Sequence, residues 1–120
     1  MPHIRPLFPE NTGIRTFLVY SKLIVCDIVS DATGYSTKEI ATIPDIVRPE
    51  DMEMADNLLP LEWVIRVGSK CVGLVEEQAK EIKKNILAKL PNAREIHFGI
   101  WLISPSDAFY VEHDPKKPES

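Results

Sequence analysis

No run of about 18 apolar residues, the minimum for a membrane-spanning helix, occurs in the chain. Its most apolar stretch, TFLVYSKLIVCDIV, is interrupted by Ser21, Lys22 and Asp27. Positive charge is also scarce: the formal net charge is −4, and basic residues gather only in KEIKK and in DPKK near the carboxyl end. The electrostatic footprint of a nucleic-acid binder is missing. Neither nucleic acid nor membrane is expected as a partner. Cysteine is sparse. Cys26 and Cys71 stand 45 positions apart, which matches no metal or redox spacing and suits small packing residues. His3, His97 and His113 are scattered, and no pair has the helical spacing of a metal site. No metal is expected. The amino terminus lacks the basic-then-apolar pattern and cleavage site of a secretory signal. These absences together point to a cytoplasmic protein.

What remains is a soluble globular composition. Of 120 residues, 44% are hydrophobic and 27% charged. That is enough for one domain with a real core and too little for two. Residues 3–8 are apolar and short, and read as a strand. PENTG is a turn. From Ile14, apolar residues recur at 17, 18, 24, 25, 28 and 29, a helical period. Thr12 is a candidate cap and Gly34 in DATGYS a candidate stop. KEIATIPDIV (38–47) looks extended, with Pro44 marking a sheet edge or strand end. RPEDMEMADNLLP is the polar connection between halves.

The second half repeats the order. LEWVIRV (61–67) alternates Glu62, Val64 and Arg66 on one face with Trp63, Ile65 and Val67 on the other. A helix from about 74 to 90 carries Val75, Ala79, Ile82, Ile86 and Leu90 on one stripe. EIHFGIWLI (95–103) is strongly strand-like. Each helix follows a glycine turn, TGI and VGL, and each following strand begins Glu-Ile. The glycines, Gly13 and Gly73, are 60 positions apart. The expected fold is therefore α/β (α+β): two β-α-β units forming a four-stranded mixed sheet with two helices on one face. A single domain is expected over 1–112, with units at about 2–48 and 60–110 and a flexible tail over 113–120. Each crossover makes its flanking strands parallel. The second sheet face is left uncovered, exposing Trp63, Ile65 and Val67 or else Trp101, according to register. Such a face needs a partner, and oligomerisation is the simplest one.

Pro2 after Met1 has two readings. Proline sits easily at the first residue of a strand because it lacks an N–H. Once Met1 is removed, however, it is a secondary amine able to act as a base. With Met1 attached, the same nitrogen is a tertiary amide without basicity.

MPH at the start, ATG closing the first helix, MADN before and IRVGS after the third strand, and LPNAREIHFGIWLI together resemble the tautomerase superfamily. Its members include macrophage migration inhibitory factor, 4-oxalocrotonate tautomerase and 5-carboxymethyl-2-hydroxymuconate isomerase. MPH and the MADN…IRVG stretch look closest to the hydroxymuconate isomerase branch. The resemblance covers about residues 2–110. It implies a homotrimer and an amino-terminal proline that moves a proton in a small 2-oxo or dienol carboxylic acid, without cofactor. In some branches that proline is an acid, as in hydratases and dehalogenases.

A general base works best with its pKa near the working pH. An α-amino group starts at about 7.7–8.0, and a proline amine somewhat higher. Burial or nearby cations would lower it. Pro2 is thus the candidate catalytic residue, and Val64, Ile65 and Phe109 are candidates for the apolar wall. Arg66, Lys70 or Arg5 would supply a cation that also holds a substrate carboxylate. His97 aligns near a site tyrosine of the migration-factor branch, and Glu62 is a possible second polar group.

Each has a plainer alternative. Arg66 and Glu62 would pair with each other, Lys70 would be a solvated loop residue, and His97 a half-buried strand residue. Phe109 and Trp101 would simply pack. The chain also departs from the migration-factor pattern: Tyr35 follows Gly34 where a lysine stands, His97 replaces the tyrosine and Gly99 the asparagine two residues on. The alternatives are therefore a catalytically relict trimeric module of the same fold, or a proline-acid hydratase or dehalogenase using Glu62 or Glu39.

Overall fold

The computed structural model describes residues 2–9, 11–47 and 59–117. Most of the expected inter-half connection, including MADN, and the last three residues lie outside them. Among the described residues, no helix is long and apolar enough to cross a membrane.

The strands are β1 (His3–Pro9), β2 (Ala41–Thr42), β3 (Asp45–Val47), β4 (Leu61–Arg66), β5 (Phe98–Ile103) and β6 (Ala108–His113). The helices are α1 (Thr12–Thr33) and α2 (Val75–Lys89). β2 and β3 are two pieces of one edge, separated by Ile43 and Pro44, and both run parallel to β1. A proline can donate no ladder hydrogen bond; Pro44 stands level with Pro6 of β1, and the edge is interrupted there. β1 pairs antiparallel with β4, and β4 parallel with β5, as two β-α-β units require.

The four-stranded expectation is short by one. β6 returns antiparallel on β5 through a tight turn at 104–107 and forms the far edge. It takes in His113, expected as the first tail residue. His113 is buried and its Nε2 hydrogen-bonds the Arg94 carbonyl at 2.9 Å.

Asn11, not Thr12, caps α1: its Oδ1 accepts from the Ile14 N–H at 3.0 Å. That satisfies one of the orphan donors of the first turn. Gly34 ends the helix at φ 81°, a left-handed conformation that a Cβ would strain.

Both helices cover one sheet face. Ile4, Trp63, Ile65, Phe98, Ile100 and Leu102 point into it and are at most 2% exposed. Val25, Ile28 and Val29 meet them from α1, and Val75, Ala79, Ile82 and Ile86 from α2. Trp63 stands edge-on to Phe98 with ring centroids 5.3 Å apart. Cys26 and Cys71 are free and buried. The register settles which side is open. Trp63, Ile65 and Val67 are core, and the uncovered face carries Glu62, Val64, Arg66 and Trp101.

Ile82 contacts the sheet from the middle of α2 and is fully buried. Ile82→Ala is expected to destabilise the fold by about 2–5 kcal/mol, read as a lower denaturation midpoint at unchanged slope in urea.

Candidate functional site

Pro2 directly precedes β1 and is buried. Its carbonyl accepts from the Ala41 N–H at 3.1 Å, so the parallel ladder reaches back to it. Extending the β1–β4 register by one residue sets Pro2 opposite Val67. Val67 and Ile40, the residue before Ala41, are both buried. Pro2 thus lies between two strands, in line with buried apolar residues.

Arg66 is at the same end of the sheet. It pairs with His3 across β1 and with Ile103 across β5, and its side chain is exposed on the open face. The anticipated Glu62–Arg66 pair does not form. Four residues of extended chain separate their Cα atoms by about 13 Å, and Glu62 has another partner.

Lys70 sits on the helical turn Ser69–Cys71 that follows β4. Its Nζ donates to the Gly34 carbonyl at 3.0 Å and lies 3.8 Å from the centroid of the Tyr35 ring. The Tyr35 hydroxyl accepts from the Gly68 N–H at 2.9 Å. A side chain at Gly68 would collide with that hydroxyl. The turn after β4 is therefore locked to the end of α1, and Lys70 brings a cation to the corner where Tyr35 follows Gly34.

The remaining polar candidates gather elsewhere on the open face. The Tyr110 hydroxyl donates to Glu62, two strands away. It can do so because its ring lies over Gly99, where any Cβ would strike it. Trp101 packs beside Tyr110 at 4.8 Å between ring centroids. His97 Nε2 is paired with Glu112 Oε1. Burial pushes the Glu62 carboxyl above its ordinary pKa; the Tyr110 bond opposes this and the Glu112 charge adds to it. Burial, reinforced by the charges of Glu62 and Glu112, pushes the Tyr110 phenol up to about 12.

Val64 belongs to the open face, between Arg5 and Trp101. Phe109 lies on the helix-covered side, opposite Leu102 and packed against the core, with Lys80 Nζ 5.6 Å from its ring centroid. The two share no wall. The structure thus places Pro2 and Arg66 at one end of the sheet, where Lys70 follows β4, with Pro2 in line with the core residue Val67 and the Arg66 side chain on the open face. It gathers Glu62 and His97 around Tyr110 at the other. Leu7, not Pro2, is the β1 partner of Glu62, and five residues of strand amount to about 17 Å. Tyr110 and Glu112 escaped the sequence reading with the rest of β6. The alternation AFYVEH after the turn SPSD was their available signal. Among the described residues, no group of three or more His, Cys, Asp or Glu side chains is placed to hold a metal ion.

No family model and no curated protein matches the chain. Solved structures do. Native Ps01740 matches over 85% of this chain and 92% of its own, with 13% identity and a TM-score of 0.50. The F6 fused 4-OT (4-oxalocrotonate tautomerase) asymmetric trimer covers 88% and 89%, with 11% identity and a TM-score of 0.47. Pt0534 inactivated by 2-oxo-3-pentynoate covers 86% and 83%, with 10% identity and a TM-score of 0.42. The chain shares the α+β fold of native Ps01740.

The raised pKa of Glu62 has a consequence for stability. Its folded pKa lies above its unfolded value, so the folded state holds the proton more tightly. Stability from this group is full at low pH and falls as pH rises through the window above 4.5, the ordinary value. Glu62→Gln keeps an acceptor for Tyr110 and removes the charge. The variant should match wild type at pH 4 and below and exceed it at pH 7, measured by urea denaturation at each pH.

Proposed function

We propose that the chain is a cofactor-independent tautomerase or isomerase acting on a small 2-oxo or dienol carboxylic acid. Pro2 is the base, after loss of Met1. The observation that carries this reading is the buried position of Pro2 between β2 and β4, in line with the apolar residues Ile40 and Val67. Desolvation there disfavours an ammonium and leaves the secondary amine free to take a proton. The amine removes the proton from the dienol oxygen, the electron pair moves into the new carbonyl, and the same proton is returned to carbon. Arg66 holds the substrate carboxylate through paired charge-assisted hydrogen bonds. Lys70 is the second cation at this end.

The open face argues for further copies of the chain. Trp101 is 39% exposed there, beside Val64, on a sheet side that no described helix covers. A homotrimer closed over this face gives it a partner.

A relict binding or assembly module of the same fold is the second reading, favoured by one observation. Where a working site would be expected around positions 97 and 99, His97 is paired with Glu112 and the space above Gly99 is taken by Tyr110. The proline-acid reading is supported less. Within one chain Glu62 is about 17 Å along the sheet from Pro2, and Glu39 is engaged in capping Ser36.

Phenylenolpyruvate and 2-hydroxymuconate ketonisation test the proposal. Chain lacking Met1 should be active, and Pro2→Ala should lower kcat/KM by about a hundredfold or more, the usual worth of a general base. Arg66→Ala should raise KM roughly tenfold to a hundredfold, as expected for a lost charge-assisted bond. Activity indifferent to Pro2, or equal in chain that retains Met1, would remove Pro2 as the base, and no activity in chain lacking Met1 would leave the relict module as the reading.

A further inference from the structure

The two helices share a layer but differ on the side turned away from the sheet. α2 exposes Glu77, Lys80, Glu81 and Lys84 there. α1 exposes Val19, Tyr20 and Leu23, at 72%, 81% and 76%. Residues three and four apart are neighbours on a helix surface, so these side chains form one contiguous apolar patch. It lies near the middle of α1, on the opposite side of the sheet from the open face that carries Trp101. Contiguous exposed apolar surface marks an interaction site. The polar residues along the same stripe are unevenly placed. Thr16 stands one turn before the patch, Asp27 one turn after it and Asp31 a further turn on, all exposed. The first turn of α1 has no acidic residue and the last no basic one. Asp27 and Asp31 therefore lie toward the negative end of their own helix dipole, where a carboxylate is disfavoured, while the positive end has none.

We propose that this face of α1 docks antiparallel on the same face of a second copy of the chain, about a two-fold axis level with residues 21 and 22. Leu23 of each copy then lies against Val19 and Tyr20 of the other. Asp27 comes level with Thr16, whose hydroxyl donates to it. Asp31 comes level with Thr12 and faces the first-turn N–H groups at the positive end of the other helix. The charge pattern that is unfavourable within one helix is thus complementary between two. A parallel arrangement sets Asp27 against Asp27 and is disfavoured. The same two carboxylates repel an anionic lipid surface. A contact between identical faces closes at two copies. It uses neither the open sheet face nor Pro2, so it doubles whatever assembly the open face forms and does not depend on proton transfer.

Sedimentation equilibrium of the full chain tests this. One helix per copy is a small interface, so the series extends to about 500 μM protein. Wild type should approach twice the mass of Leu23→Glu, which puts a carboxylate at the centre of the patch. Circular dichroism checks that the variant keeps its fold. The doubling reports the α1 contact whether or not the variant is itself trimeric, so it is independent of the open face. Charge tests the register. Thr16→Glu sets like charges opposite Asp27 and should weaken pairing about threefold to tenfold, as should Asp27→Lys. Within one helix these positions are about 16 Å apart and cannot compensate each other. Thr16→Glu combined with Asp27→Lys should nonetheless return pairing to within about twofold of wild type, because the new charges meet between copies. Wild type with the mass of Leu23→Glu throughout the series, even if it binds phospholipid vesicles instead, would overturn the proposal. So would a double variant that pairs no better than either single one.

Discussion

The rest of the molecule depends on the insertion of the first strand into the interior of the sheet. β1 is paired on both sides, parallel to β2 and β3 and antiparallel to β4. An amino-terminal segment usually frays unless something ties it down. Here ladder hydrogen bonds on both flanks tie it, and Ile4 and Phe8 anchor it in the core at no more than 3% exposure. The consequence reaches back to Pro2. A residue that would otherwise be a loose chain end is buried, with its carbonyl bonded to Ala41. A proline suits that position because it has no backbone N–H to leave unsatisfied between the strands. The same covalent feature makes its nitrogen a secondary amine once the preceding residue is gone.

Alternation along β4 separates the two faces of the sheet. Leu61, Trp63 and Ile65 build the core, while Glu62, Val64 and Arg66 project from the other side. The open face is polar at both ends and apolar in the middle around Trp101. At one end Arg66 is exposed beside the amino terminus. At the other, Tyr110 spans two strands to reach Glu62 through the gap above Gly99. That network is internally satisfied, which explains its shifted carboxyl and phenol without assigning them chemistry. Perturbed groups also occur in structural networks.

Much of this was legible in the order of residues. The helices were visible because their apolar stripes recur with a period near 3.6 and end at Gly34 and Pro91. The edge position of the segment around Pro44 followed from its missing donor. The inward set on β4 could not be assigned until β1 fixed the register, because alternation defines two faces without naming the buried one. β6 was missed because six residues bounded by a turn and a charged tail give too short a signal for periodicity. With it went Tyr110 and Glu112, and hence the true partners of Glu62 and His97. The supposed Glu62–Arg66 pair failed on distance alone: residues four apart are adjacent on a helix but about 13 Å apart on a strand. Pro2 was legible as a candidate, but its burial depends on pairing with residues about 40 and 65 positions away, which no local pattern reveals.

The central claim is that burial between β2 and β4 turns Pro2 into a neutral amine at working pH. It is tested most directly by nitrogen-15 NMR of chain labelled at proline and purified from its own host, titrated from pH 4 to pH 10. The account predicts a secondary-amine resonance for Pro2 that titrates once, below the ordinary α-amino value of about 7.7–8.0. An amide resonance that does not titrate, or an amine that titrates at or above that value, would contradict it.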